Sequence, residues 1–241
     1  MEWQAPALLL SVRSHGETSA IVDVLSRDHG RFSGLVRGGT SRKQKPILQI
    51  GNLVDAHWRA RLAEHLGVMV LEPIEANAAK HMNNASSLAA LVCLCEWLRI
   101  LPERQAFPRL FDTAQIILDH LADAEVWPAL FVRFEVALLE EIGFGLDLSH
   151  CAATGVVHNL NYISPRSGRA VCEEAAAPYL DKLFPLPPFL KSSDAQASPQ
   201  DVIDGFALTQ HFLERRVLHP NGKNIPETRE RMLSALNRFL S

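Results

Sequence analysis

Six basic residues fall within nineteen positions near the amino-terminal end of the chain. The segment from Arg27 to Lys45 sets six Lys/Arg against Asp28 alone, a local excess of five positive charges in a chain of formal net charge −3. Such a patch attracts a polyanion whatever the total charge, because its field acts locally. Four of these cations lie on or beside a Gly-rich stretch, where long side chains can reach phosphates: Arg37, Arg42, Lys43 and Lys45.

Three more arginines can extend this basic track from neighbouring strands, namely Arg13, Arg59 and Arg61. If four or five phosphates are neutralised, affinity for a nucleic acid should fall steeply with salt. A solvated loop kept basic for solubility is the alternative. Rings for base stacking are scarce in this part of the chain, and each of them can equally belong to a core. They are Trp3, Phe32 and Trp58.

The sequence contains few residue patterns that are typical of enzyme active sites. It contains no Walker-type phosphate loop, no Gly-x-Ser-x-Gly elbow, no His-Glu-x-x-His and no dinucleotide fingerprint. Glu140 and Glu141 are adjacent on a predicted helix and therefore diverge, so they form no acid/base pair. A Cys-dependent hydrolase stays open as one alternative. Its nucleophile and base would come from Cys151, Cys172, His150 and His158.

The four cysteines are too few and too irregularly spaced for a disulfide scaffold. Cys93 and Cys95 lie two apart in a predicted helix, so they point about 200° away from each other. They cannot readily share a metal ion or close a disulfide. Cys95 falls on the apolar stripe of that helix, which predicts a core position.

Five short runs rich in Val, Leu and Ile precede residue 77, and turn signals separate them. Each has the length of an ordinary strand, which predicts a small closed or partly closed barrel, with a sandwich as the other possibility. After Asn77 the apolar residues recur every three to four positions, which predicts helices. The strand runs cover 7–12, 20–25, 30–36, 52–60 and 67–74, and the helical stripes cover 88–101, 110–121, 127–142, 203–217 and 232–240.

Size and composition describe an ordinary globular chain. Its 241 residues are 47% apolar and 21% charged, which excludes wholesale disorder and fibrous architectures. No apolar run approaches the roughly 18 residues of a membrane span, and the first residues show no secretory signal. We expect a soluble cytoplasmic protein without a membrane partner. Residues 1–76 carry a net charge of +1 and the remaining 165 residues −4.

Three stretches together resemble a known family. The first is 7–17 with 34–39 and the basic loop, the second is 133–135 with 138–139 and Gly143, and the third is 146–151 with 162–168. In that order and spacing they are similar to the bacterial recombination mediator RecO. The resemblance spans nearly the whole chain, so it is far more specific than any single motif in it.

The resemblance implies a two-domain α+β protein. Residues 1–77 would form a five-stranded OB-fold barrel, and 78–241 an all-α domain. Within that second domain, 144–175 would be an irregular, degenerate zinc-finger-like insertion, and 184–200, rich in Pro, Ser and Ala, a flexible linker.

The activity implied by the resemblance is that of a mediator of DNA repair and homologous recombination, not of an enzyme, and it needs no cofactor. Such a protein binds single- and double-stranded DNA and anneals complementary strands. It also helps to load the RecA recombinase onto DNA coated by single-strand-binding protein. Its partners would be DNA, RecR and the acidic, hydrophobic tail of single-strand-binding protein, and its location the cytoplasm, in association with the nucleoid.

The tail would bind around Arg133, which lies beside Phe131 and Phe134 in the sequence. A guanidinium next to an apolar surface can grip a carboxylate bidentately. An internal ion pair with Glu135, or with an acid of another helix, is the alternative. Lys223 and Arg229 resemble further basic positions near that site in relatives.

Some members of the family hold zinc with two Cys-x-x-Cys pairs. The corresponding positions here are Cys151, Thr154, Cys172 and Ala175, so half of the ligands are missing. We therefore predict no metal at the degenerate site of Cys151 and Cys172. Apart from the hydrolase, the alternative function is a protein–protein scaffold whose basic loop is incidental.

Overall fold

The structure, a computed structural model, describes residues 1–62, 64–192 and 194–240, with the backbone alone for 239 and 240. Its first five strands close into a barrel in the order β1-β2-β3-β5-β4, with β4 returning to β1. This order confirms the predicted five-stranded OB-fold. The strands are β1 (Glu2–His15), β2 (Ser19–Ser26), β3 (Gly30–Val36), β4 (Leu53–Arg59) and β5 (Val68–Glu75).

Alternation of apolar side chains explains why these segments form a barrel. On β4, Val54, Ala56 and Trp58 are buried and their neighbours are more exposed, as expected for a strand with one face in a core. β1 is long enough to pair with two strands. Its first half pairs with β4 and its second half with β2, and its register shifts between Leu9 and Ser11.

The barrel closes at a narrow seam between β3 and β5. These strands pair in parallel at Leu35 and Val68 only, next to a hydrogen bond from the Leu35 amide to the Gly67 carbonyl (3.0 Å). The buried Trp58 indole strengthens the seam, because its Nε1 donates to the carbonyl of Ser33 on β3 (3.2 Å) and to that of Leu66 before β5 (2.9 Å). Trp58 is therefore a core residue.

Helices make up most of the remaining chain, as predicted. The residues with described structure include no helix both long and apolar enough to cross a membrane. Chain contacts form two compact units, one of Met1–Ala124 with Pro226–Phe239 and one of Glu125–Ile225 with Leu240. The α-helices are α1 (Asn77–His81), α2 (Ala85–Leu98), α3 (Pro108–His120), α4 (Trp127–Glu141), α5 (Glu173–Ala176), α6 (Pro199–Phe212) and α7 (Glu227–Leu240). A π-helix, Leu213–Leu218, follows α6 directly.

In the first unit, α2 covers part of the outer surface of β1. The Cys95 thiol lies 3.8 Å from the Leu9 carbonyl, to which it donates, and burial raises the pKa of Cys95 to about 12. Cys95 is fully buried, so its predicted core position is confirmed. On α7, Met232 and Leu236 of the predicted stripe are buried, and the side chains of Phe239 and Leu240 lie outside the described residues.

The second unit contains a small sheet in the order β7-β6-β8, formed by β6 (Leu160–Ile163), β7 (Ala170–Cys172) and β8 (Phe184–Pro185). The sheet includes strands of the predicted insertion 144–175, but a zinc-finger character is not shown. In the predicted linker 184–200, a 3-10 helix spans Pro188–Leu190 and Phe189 is buried. The mobility of this segment stays a prediction, and Ser193 lies outside the described residues.

A buried carboxylate joins three strands on the outer wall of the barrel. Asp23 on β2 accepts hydrogen bonds from Ser11 and Ser33, both at 2.6 Å, and lies 3.7 Å from Arg99. Burial raises the pKa of Asp23, but the two hydroxyl hydrogen bonds and the charges of Arg31 and Arg99 outweigh it and hold the pKa below its usual range. The ionised carboxylate therefore stabilises the fold.

Replacing this charge should make the protein less sensitive to acid. The folded-state pKa of Asp23 lies below the unfolded value of about 3.9, so its contribution is present above that pH and is lost as pH falls through the folded-state pKa. We expect Asp23→Asn to lower the unfolding free energy at pH 7 by about 1–3 kcal/mol, and by less near pH 3. Urea unfolding at the two pH values measures the difference.

The matched control is Asp119→Asn, since Asp119 is exposed on α3 and makes no hydrogen bond or ion pair with a described residue. The control should leave the unfolding free energy close to that of the parent protein at both pH values. An Asp23→Asn deficit of equal size at pH 7 and pH 3 would contradict the ionic role of this residue.

Candidate nucleic-acid interface

The four predicted cations of the basic loop are all exposed, and their side chains have no partner among the described residues. Arg37, Arg42, Lys43 and Lys45 extend from the segment that joins β3 to β4, and no side chain among them forms a hydrogen bond or ion pair with a described residue. Unpaired cations keep their full charge for an external anion. This arrangement is the one expected of a surface that binds phosphates.

The backbone of this loop is fixed at several points. Gly39 lies so close to β2 that an added Cβ would stand 2.7 Å from the Ala20 Cβ. Thr40 follows, and its amide and hydroxyl donate to the carbonyls of Thr18 and Glu17 in the β1–β2 turn (both 3.2 Å). The anchored backbone leaves flexible side chains on a fixed support, which reduces the entropy lost on binding.

Further along the loop, the chain folds back onto the barrel. Leu48 is buried in the barrel core, and the buried Asn52 side chain donates to the carbonyls of Pro46 (3.0 Å) and Ile47 (3.2 Å). Sequence reasoning missed these supporting residues. The Gly-Gly pair at 38–39 was the available signal, because a close backbone approach requires a residue without a Cβ.

Two other arginines of the segment from Arg27 to Lys45 are bound to groups of the protein itself. Arg27 forms an ion pair with Asp112 on α3 (2.9 Å), and this hydrogen bond raises the pKa of Arg27. Arg31 donates to the Leu101 carbonyl (2.9 Å) and lies 3.4 Å from Glu103. Of the six cations in the basic segment, two therefore form internal ion pairs, and the four of the loop have no side-chain partner among the described residues.

Arg13 and Arg59 share one register row across the outside of the barrel. Backbone pairing aligns Arg13, Ile21, Leu35, Val68 and Arg59 across all five strands, and each of these residues is exposed or half-buried. With about 4.8 Å between neighbouring strands, the row spans roughly 19 Å along the curved surface. Both of its ends are therefore cationic, and its middle is apolar.

Arg61 follows β4 and is also exposed without a described partner. All seven predicted DNA-binding cations are thus exposed, and none has a side-chain partner in the part of the chain that the structure describes. The row is continuous with the basic loop through β3, because Arg37 comes two residues after Leu35. The structure places these seven cations on the barrel and its loops, and their role toward DNA stays a prediction.

The three aromatic rings of the barrel pack against one another. Trp58 is buried, and half-buried Trp3 stacks on His29 at 4.8 Å between ring centroids and meets the edge of Phe32 at 5.1 Å. Phe32 also lies 5.8 Å from the Arg104 guanidinium. These contacts show that the rings pack within the fold, and we assign no base-stacking role to them.

The residues predicted for tail binding have unlike surroundings. Arg133 donates through Nε and Nη2 to the Phe189 carbonyl (3.1 and 2.8 Å) and through Nη2 to that of Ser192 (3.1 Å). Lys223 is exposed, whereas Arg229 is completely buried. Arg133 and Lys223 belong to the second unit and Arg229 to the first. Their role in binding a partner stays a prediction.

The two cysteines of the degenerate site are buried and hydrogen-bonded. The Cys172 amide donates to the Cys151 sulfur (3.3 Å), and the Thr154 hydroxyl lies 3.5 Å from the Cys172 sulfur. Burial raises the pKa of Cys151, but hydrogen bonds from the Thr154 side chain and from the amides of Cys172, Ala153 and Thr154 outweigh it and bring the pKa to about 6. Backbone and hydroxyl donors thus stabilise the thiolate.

This donor set does not fit structural zinc. The described residues include no group of three or more His, Cys, Asp or Glu side chains that could hold a metal ion. His150 meets Ser149 through Nδ1 and Arg169 through Nε2, both at 2.7 Å, and His158 is exposed. The same contacts give no support to a Cys–His nucleophile.

Elemental analysis of the purified protein should therefore find no stoichiometric zinc. Two sulfur donors fall short of the four Cys or His ligands that a structural zinc site needs. The measurement compares protein dialysed with and without a chelator, and the melting temperature should be the same in both samples. One equivalent of zinc, or a chelator-dependent loss of stability, would contradict this prediction.

Comparison with known proteins gives matches over nearly the whole length of the chain. Family models described as "Recombination protein O N terminal" and "Recombination protein O C terminal" match residues 1–76 and 82–225. The chain is 49% identical to "DNA repair protein RecO" of Mesorhizobium japonicum, over 99% of this chain and 94% of that protein. It is 47% identical to the protein of the same name from Methylorubrum extorquens, over 97% and 98%. The chain therefore belongs to the RecO family of recombination proteins.

Proposed function

We propose that this chain acts in DNA repair and homologous recombination as a mediator that binds single- and double-stranded DNA and anneals complementary strands. The observation that carries the proposal is the set of seven exposed, unpaired cations on the barrel and its loops. Membership of a family whose members are named DNA repair proteins supports the same conclusion. With RecR, the protein would help to load RecA onto DNA coated by single-strand-binding protein.

Binding would rest on phosphates rather than on bases. Lysine and arginine side chains release condensed counterions when they neutralise phosphates, so affinity follows the number of contacts and falls with salt. The barrel rings are engaged with one another, and the apolar middle of the register row is made of Ile21, Leu35 and Val68. The interface would therefore bind strands with little dependence on base sequence.

Annealing needs no catalytic group. Two DNA strands repel each other through their phosphates, and a cationic surface that holds both screens this repulsion and raises their local concentration. Base pairing then supplies the free energy of the product. The buried state of Cys151 and Cys172, and the lack of contact between their sulfurs and the His150 ring nitrogens, agree with a mediator rather than a hydrolase.

Removing three cations of the loop should weaken DNA binding without affecting the fold. We expect Arg42→Ala, Lys43→Ala and Lys45→Ala together to reduce affinity for a single-stranded oligonucleotide at least about tenfold. The log–log salt slope should become shallower by about 2, at roughly 0.7 per lost contact. Fluorescence anisotropy against salt measures both, and the melting temperature should not change because the three side chains are exposed and unpaired.

A matched control removes the same number of exposed positive charges outside the barrel, at Arg166, Lys182 and Arg215, whose side chains likewise make no hydrogen bond or ion pair with a described residue. Both triple variants change the net charge equally, so a general electrostatic effect would weaken them equally. Equal losses in the two variants, or an unchanged affinity in the loop variant, would refute the basic loop as the interface and favour a protein scaffold.

The predicted tail site is best tested at Lys223. Arg133→Ala removes three hydrogen bonds that hold the segment around Phe189, so a loss of binding there would have two explanations. Lys223 is exposed and has no described side-chain partner. We expect Lys223→Ala to weaken binding of the tail peptide of single-strand-binding protein about three- to tenfold, since a charged contact contributes about 1 kcal/mol.

Isothermal titration with the peptide measures this effect, and the melting temperature shows whether each variant is folded. Lys182→Ala, which removes another exposed lysine of the same unit, serves as the control. Equal peptide affinity for the parent protein, Lys223→Ala and a stably folded Arg133→Ala variant would remove these residues from the tail site.

A further inference from the structure

A cavity lies at the edge of the barrel where β1 begins and β4 ends. Its volume is about 800 Å³, within the range of roughly 300–1,000 Å³ that is typical of small-ligand sites. One wall is the start of β1, and the other is formed by the end of β4, the start of β5 and described residues between them. The residues that line it are Met1, Glu2, Arg59, Ala60, Arg61, His65, Gly67 and Val68.

The charged groups of this cavity favour an anion. Arg59 and Arg61 line it together, and neither side chain makes a hydrogen bond or ion pair with a described residue. His65 adds a third nitrogen-bearing side chain. Among the lining residues that the structure describes, Glu2 is the only acid, and its carboxylate contacts His57. The Met1 ammonium donates to the Ala60 carbonyl (2.6 Å).

Hydrogen bonds at and near the seam between β3 and β5 fix the walls of the cavity. The Trp58 indole donates to the Leu66 carbonyl (2.9 Å), and the Leu35 amide to that of Gly67 (3.0 Å). On the opposite wall, the Ala60 amide donates to the Met1 carbonyl (3.0 Å). Gly67 has a φ of +71°, and an added Cβ would lie 2.5 Å from the Trp58 Nε1. A preorganised support of this kind keeps two guanidinium groups available for one ligand.

We propose that this cavity binds the terminal phosphate monoester of a DNA strand, a role that rests on the proposed DNA-binding function. A terminal monoester carries about −1.5 to −2 charges at pH 7 and three acceptor oxygens. An internal phosphodiester carries one charge and continues in two directions. Two unpaired guanidinium groups in one cavity suit the first ligand better, because each can donate two parallel hydrogen bonds to phosphate oxygens.

The position of the cavity connects it to the rest of the interface. Arg59 is both a lining residue and the last member of the register row that starts at Arg13. A strand that follows this row therefore reaches the cavity at its end. The inference deepens the proposed function, since the loop cations would hold the strand and the cavity would hold its terminus.

The test compares one single-stranded oligonucleotide in three forms, with a 5′-phosphate, with a 3′-phosphate and with hydroxyl groups at both ends. We expect the parent protein to bind one phosphorylated form about fivefold or more tightly than the hydroxyl form, as for charge-assisted hydrogen bonds. Arg59→Ala with Arg61→Ala should abolish this ratio. The loop variant at Arg42, Lys43 and Lys45 should keep the ratio while losing overall affinity.

The affinity ratio is the decisive measurement, because it is independent of a general loss of positive charge. Covalently closed circular single-stranded DNA tests the proposed function separately, since it has no ends. Binding of circular DNA without any preference for a phosphorylated end overturns this inference and leaves the proposed function intact.

Two further outcomes would also overturn it. One is an end preference that survives Arg59→Ala with Arg61→Ala, provided that this variant keeps the parent melting temperature. The other is tight binding of a deoxynucleoside monophosphate alone, abolished by the same variant, which would assign the cavity to a free nucleotide. Inorganic phosphate serves as the competitor that measures the contribution of the phosphate group.

Discussion

Closure of the barrel between β3 and β5 is the constraint on which the rest of the interface depends. The two strands share a single parallel pair, so the seam lacks the continuous ladder of hydrogen bonds that joins the other strands. Trp58 compensates from inside the barrel by donating to carbonyls on both sides of the seam. Because Leu35 and Val68 occupy this seam, their alignment brings Arg13 and Arg59 into one row. An opened seam would separate the basic loop from the β4–β5 connection.

Some cations of the barrel are paired with acids and others are not, and this difference decides where the positive electrostatic field is strongest. Arg27 pairs with Asp112 on α3, and Arg31 pairs with Glu103 in the connection between α2 and α3, within the same compact unit. Pairing reduces the field of these cations where the barrel meets its helices. The cations of the loop and of the register row have no such partners, so the net positive field lies where a polyanion can approach. Specificity for DNA would arise from this arrangement rather than from total charge.

Much of the fold could be predicted from the sequence because its signals are local. Apolar residues that alternate, as at Val54, Ala56 and Trp58, indicate a strand whatever the strand packs against. An apolar stripe with helical spacing, such as 88–101, likewise indicates a helix. The partners of Arg27 could not be predicted, because Asp112 lies 85 positions away and only the folded chain brings it close. The burial of Arg229 was hidden for the same reason, since α7 joins the compact unit that contains the barrel.

The candidate site, like the fold, could be predicted from the sequence only in part. The number and spacing of the loop cations were visible in the sequence, whereas the cavity beside Arg59 and Arg61 was not, since it depends on the start of β1 lying next to the end of β4.

The net negative charge of the remaining chain would also influence where DNA binds. Residues after position 76 carry a net charge of −4, against +1 for the residues before it. Net negative charge repels DNA, so in the proposed function it would disfavour weak binding elsewhere on the molecule and direct a strand to the barrel. The same balance would limit total affinity, because a chain with net charge −3 would hold a polyanion only through its local patch. A mediator must release DNA after annealing or loading, and a small patch with a strong salt dependence meets that requirement better than a uniformly basic surface would.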